Sequence, residues 1–184
     1  MKKLIYIIVI VFSFQLQAQE IVPKEQQPQY YLNNTYKDKY FKDINGHFNK
    51  FIGTWKWQDS PTNPTKVLEI TFYKVENHYT GGCFEDRLAS SYTYYENGVE
   101  IYNTTNGVFG GRFVFPNNLN KLRLIYMEPN PATLGFTYNF VIEFIPNTTL
   151  PGTPQLKWDV EVVLEVAENA ELPKIPMHIV LTKQ

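Results

Sequence analysis

From residue 53 onward, proline cuts the chain into short segments, and within those segments apolar side chains occupy every second position. Proline has no N–H to give a β-ladder and is excluded from central strands, so the prolines mark connections. Leu156, Trp158, Val160, Val162, Leu164 and Val166 share one face, against Lys157, Asp159, Glu161 and Glu165 on the other. Phe136, Tyr138, Phe140, Ile142 and Phe144 repeat the pattern, as do Leu68, Ile70 and Phe72. Such alternation builds half-buried antiparallel strands. Asn97-Gly98 supplies a tight hairpin turn between Ser91–Glu96 and Val99–Thr104. Arg112–Phe115, Lys121–Glu128, Gly53–Gln58 and Met177–Lys183 complete about nine strands at short spacing. This reads as an all-β chain, an antiparallel up-and-down barrel of about 8–10 strands, with a short helical turn near Asn45–Phe51 before the first of them.

The first 18 residues have the form of a secretory signal: Lys2 and Lys3, an apolar run from Leu4 to Phe14, and a Leu16-Gln17-Ala18 cleavage site. The apolar run is about half of the roughly 20 residues a membrane-spanning helix needs, so no stable membrane insertion is expected. Removing 18 of 184 residues leaves 166, enough for one core. The expected product is exported and either periplasmic or extracellular. Residues 19–42, rich in Gln, Pro, Tyr, Asn and Lys, read as a polar leader or linker, and 43–184 as the barrel domain. The net charge of −1 becomes −3 once Lys2 and Lys3 are lost, which argues against a nucleic-acid partner. The single cysteine, Cys83, precludes an intrachain disulfide.

The residues before the first barrel strand, Asn49-Lys50-Phe51-Ile52-Gly53-Thr54-Trp55-Lys56, resemble the opening of the lipocalin-like (calycin-type) superfamily. The resemblance implies that Trp55 plugs one end of the barrel and that Gly53 allows close backbone approach there. It also implies an arginine stacked on the tryptophan; the last strand carries Lys183 and no arginine, so Arg112 or Arg123 would have to substitute. Fatty-acid-binding proteins open similarly but insert a helical hairpin, for which Asp59 to Thr65 has no room. The layout is also similar to that of an uncharacterised family of small secreted bacterial proteins, with a Lys-Phe-x-Gly-Thr-Trp opening and a closing segment here running from Pro176 to Lys183.

Chemical motifs are few. There is no nucleophile elbow, phosphate-binding glycine loop or zinc-binding helix motif. His47, His78 and His178 lack ligands at metal spacing, so neither a metal nor a cofactor is expected. Thr80-Gly81-Gly82-Cys83-Phe84-Glu85-Asp86-Arg87 reads as a surface loop, and a cysteine-based activity there would require an exposed Cys83 beside a base. The stronger candidate is the inward face of the barrel. Trp57, Phe72, Leu124, Tyr126, Phe136, Tyr138, Phe140 and Trp158 are the candidate wall of a site for a small apolar ligand. The same rings would equally make a filled core, in which case the chain would act as a protein-interaction or structural module of the cell envelope.

Overall fold

The computed structural model describes residues 19–114, 118–127, 137–146, 152–161 and 175–184. The signal segment, Phe136, and Val162, Leu164 and Val166 lie outside them. Eight strands, β3 (Gly53–Gln58), β4 (Lys66–Thr80), β5 (Cys83–Glu96), β6 (Val99–Phe113), β7 (Lys121–Met127), β8 (Thr137–Ile145), β9 (Gln155–Glu161) and β10 (His178–Lys183), pair in chain order, each antiparallel to the next. Pairing of β10 with β3 closes the barrel. Leu68, Ile70, Leu122, Leu124, Leu156 and Leu181 point inward among the aromatic rings and are all buried.

The sequence pattern and the structure differ instructively at three places. The pattern separates Val99–Thr104 from Arg112–Phe115; β6 runs through both as far as Phe113. Its alternation is broken by a bulge at Gly110–Gly111, where φ of +123° and +118° shifts the register against β7. Asn45–Phe51 forms turns and no helix; the α-helix, α1 (Gln27–Leu32), lies earlier. The Cys83–Arg87 stretch is strand and not loop, the start of β5, and only Gly81 and Gly82 form the hairpin tip.

Residues 19–42 are likewise built into the fold rather than loosely attached. β1 (Glu20–Pro23) pairs in parallel with β2 (Lys39–Lys42), and β2 pairs in parallel with β5. The reason is geometric. The β4–β5 hairpin extends beyond the barrel: β6 pairs with β5 only from Leu88 onward, so the edge at Phe84 and Glu85 is left for β2. A second small core of Val22, Phe41 and Cys83, flanked by Tyr30, Tyr31 and Tyr36, fixes the segment there. Covering an exposed strand edge in this way removes a site of unwanted pairing.

Candidate functional site

One end of the barrel is sealed. Trp55 is fully buried and its indole N–H donates to the Phe51 carbonyl at 2.7 Å. The cation over its ring is Lys183, with Nζ 5.3 Å from the centroid. Arg112 and Arg123, the expected substitutes, pair across strands β6 and β7 and take no part. Gly53, at φ +116°, passes so close to the Lys183 stem that a β-carbon there would lie 3.3 Å from its Cε. Glycine at this position therefore lets the lysine fold over the tryptophan.

From this plug inward the barrel is solid. Phe72, Leu124, Tyr126, Phe140 and Trp158 have at most 1% exposure, which leaves no water-sized space against them. Phe140 and Trp158 lie 4.5 Å apart, and Tyr126 meets Phe140 edge-on at 5.2 Å. Tyr138 is 6% exposed, and Tyr92 donates its hydroxyl to that of Tyr126. The Trp158 Nε1 donor is buried and has no acceptor among the described residues. Of the candidate wall residues that are described, Trp57 alone is more than marginally accessible, half-buried against the core.

Trp57 stands at a break in the wall. β3 and β10 pair only through Lys56 with Thr182 and Trp55 with Lys183, extended by the Gln184 amide on the Thr54 carbonyl. Continuing that register would set Gln58 against Val180; instead the strands part. A cleft of about 370 Å³ opens there, lined by Lys56, Trp57, Gln58, Val180, Thr182 and Gln184. A second hollow of about 330 Å³ shares Trp57 and Val180 and reaches Lys157, Asp159, His178 and Ile179. Each falls within the size range of small-molecule sites. The indole and Val180 supply apolar surface at the shared wall. Asp159 forms an ion pair with Lys157 at 2.8 Å, and its other oxygen lies 3.3 Å from His178 Nδ1. Partial burial pushes its carboxyl up, but the hydrogen bonds from Lys157 and His178 and the charge of Lys157 more than offset that and hold it below the usual carboxylate range.

The opposite flank carries the buried charges. Glu85 Oε2 accepts from Lys24 Nζ at 2.7 Å and Gln27 at 2.6 Å, with the Lys24 side chain wholly buried. Burial works against the Glu85 carboxylate, yet Lys24, Gln27 and Arg112 together hold it below its ordinary value. Asp86, also buried, accepts from the Tyr40 hydroxyl and from the backbone amides of Asp43 and Asn77. Both carboxylates thus tie residues 24–43 to the hairpin. Cys83 is buried, its sulfur 3.4 Å from the Tyr31 hydroxyl, and burial pushes its thiol up, the reverse of nucleophile activation. Among the described residues no group of three His, Cys, Asp or Glu is placed to hold a metal ion, and no helix is long and apolar enough to cross a membrane.

A family model described as a family of unknown function, DUF6705, matches residues 1–131. The chain belongs to DUF6705. Neither the comparison with curated proteins nor that with solved structures yields a match. In this DUF6705 protein the match spans the leader and β1 through β7 and stops before β8, so the β3–β10 cleft is formed by one strand inside the matched region and one beyond it.

The sequence pattern places Trp57 on the inner wall of the barrel and does not single out the residues that line the cleft beside it. For Val180 there was a signal: Ile179, Val180 and Leu181 are three apolar residues in a row, so one must face outward, and Val180 is 43% exposed. For Gln58, Lys157 and Asp159 there was none, because polar residues on the outer parity of a strand are what any barrel carries.

Proposed function

We propose that this chain is an exported, lipocalin-like binding protein without catalytic activity of its own, and that it takes a small molecule at the β3–β10 cleft and not in the centre of the barrel. The observation that carries the reading is the parting of the two strands beside Trp57, where an indole and Val180 form an apolar wall between polar groups. The filled interior supports moving the site outward, since a central ligand would have to displace rings already packed on one another. The closed eight-stranded meander and the lysine-capped Trp55 at its sealed end support the lipocalin resemblance. The ligand suited to the cleft has a flat apolar body for the indole and polar edges for Lys56, Gln58 or Asp159.

A second reading has an observation of its own. β10 has no β3 partner from His178 to Leu181, which offers an edge to an extended segment of another protein. Native mass spectrometry of the protein purified from its own host, set against its denatured mass, separates the two. A mass excess that is lost on denaturation, and lost in Trp57→Ala, is the expected result. A folded protein that carries no excess, but retains a protein partner that Val180→Glu releases, would replace the first reading with the second.

A further inference from the structure

The surface of the two hollows beside Trp57 is divided in a way that limits what can bind there. Apolar side chains are confined to Trp57, Val180 and Ile179, and the first two form the ridge that both hollows share. On the β3 side of the ridge, Lys56, Gln58 and the Thr182 hydroxyl have no side-chain partner among the described residues. Gln184 gives its side-chain N–H to the Thr182 carbonyl, which leaves Oε1 as an acceptor. On the β9 side, Asp159 Oδ2 meets Lys157 and Oδ1 lies 3.3 Å from His178 Nδ1. That cancels the Lys157 charge and leaves about half of the carboxylate's acceptor positions open. A molecule suited to this surface is apolar on one face and hydrogen-bonding around its rim. A lipid chain or a bare aromatic ring would cover the ridge, but it would strip water from the polar groups and return no hydrogen bond. A pyranose ring has the required division. Its C–H groups meet the electron-rich face of an indole, and each of its hydroxyls both donates and accepts.

We infer that the β3–β10 cleft binds a linear saccharide, with adjacent rings in the two hollows and the Trp57–Val180 ridge between them. This rests on the cleft being the ligand site, and it names the class of ligand. Lys56, Gln58 and Thr182 take the hydroxyls of the ring on the β3 side, and Asp159 and His178 those of the ring on the β9 side. Hollows of about 370 and 330 Å³ each have room for one ring. Val180, 43% exposed, marks the outward face of β10, so a longer chain can run on past the site, which a closed barrel interior would not allow.

The test is a glycan array of neutral and acidic linear oligosaccharides of increasing length, probed with the protein purified from its own host. The best-retained oligosaccharide is then titrated against acrylamide quenching of tryptophan emission. Of the three tryptophans, Trp55 and Trp158 are fully buried, so quenching reports on Trp57. The expected result is retention that rises from the monosaccharide to the disaccharide, with saturable shielding of Trp57 from acrylamide. Trp57→Ala should weaken binding on the order of tenfold. Gln58→Ala should weaken it roughly three- to tenfold; the Gln58 side chain has no hydrogen bond among the described residues, so that variant is expected to fold even if the first does not. An array that retains nothing, retention that both variants leave unchanged, or retention confined to acidic chains and abolished by salt would overturn the assignment. Native mass spectrometry separates the two failures. A blank array beside a Trp57-dependent mass excess removes the saccharide and keeps the cleft, whereas a blank array with no mass excess removes both.

Discussion

Replacing Glu85 by glutamine keeps the side-chain shape and removes only the charge that faces Lys24. Lys24 has no exposed side-chain area, Glu85 has 15%, and the two are 2.7 Å apart. Removing one partner of such a pair strands the other charge in a low-dielectric interior, at a cost of about 3–5 kcal/mol. At roughly 2–4 °C per kcal/mol for a domain of this size, the melting temperature should fall by about 10 °C. The leader offers a way out. If its docking is worth less than the penalty, residues 20–42 will detach and take Lys24 to water, so the barrel melts nearly as before while those amides lose exchange protection. Calorimetry combined with hydrogen exchange reads both routes. Lys24→Met with Glu85→Leu removes both charges and should recover most of the loss, because apolar replacements of buried pairs are commonly neutral or stabilising. A Glu85→Gln variant that melts within about 2 °C of the parent, with β1 and β2 still protected, would refute the account of Lys24 as a buried, compensated cation.

Two further outcomes follow from the same reasoning. Glu85 has a folded pKa below its unfolded value of about 4.3, so its contribution is complete above that value and is lost as pH falls through the folded one. Exchange protection of β1 and β2 should therefore be lost in acid, below the unfolded carboxylate value and ahead of β7 and β8; loss of protection already at neutral pH would contradict this. Trp158→Phe removes a buried indole donor that has no acceptor among the described residues, which offsets the lost ring volume, so urea denaturation should register a change under about 1 kcal/mol. Trp158→Ala should cost about 3–5 kcal/mol, and a Phe variant that costs more than about 2 would mean the indole N–H is satisfied.

What the sequence made legible was whatever depends on neighbours along the chain. The side-chain parity of β4, β8 and β9 follows from period-two alternation, and Leu68, Phe140, Leu156 and Trp158 fall inside as that pattern requires. The β5–β6 turn follows from Asn97-Gly98, both at positive φ. The leader was illegible for a definite reason. Its attachment depends on Lys24, Gln27 and Tyr40 meeting Glu85 and Asp86, more than 40 residues away. A buried lysine looks the same in sequence as a solvated one. The Cys83–Arg87 stretch misled in the same way, since two glycines and a run of charges suggest a loop until the unpaired edge that β2 covers is known.

The cleft at Trp57 belongs to a third category, which no local pattern encodes. In an up-and-down barrel seven ladders join strands adjacent in sequence, and only the eighth joins the first to the last. How far that eighth ladder extends is what remains after every earlier register has been set. Here the earlier ladders contain shifts at Val75/His78, Ala89/Ser91, Tyr94/Tyr95 and Gly110/Arg112, each of which bends or staggers a strand. β3 then ends at Gln58, where Asp59 turns away to accept the Thr65 and Lys66 amides. β10 enters after Pro176 and stays paired with β9 along its length from His178 to Thr182. Held by stronger ladders on their other sides, the two strands meet only where both are anchored at the Trp55 end. The opening beside Trp57 is thus a consequence of closure geometry, which is why alternation could name the tryptophan while the site around it became visible only in three dimensions.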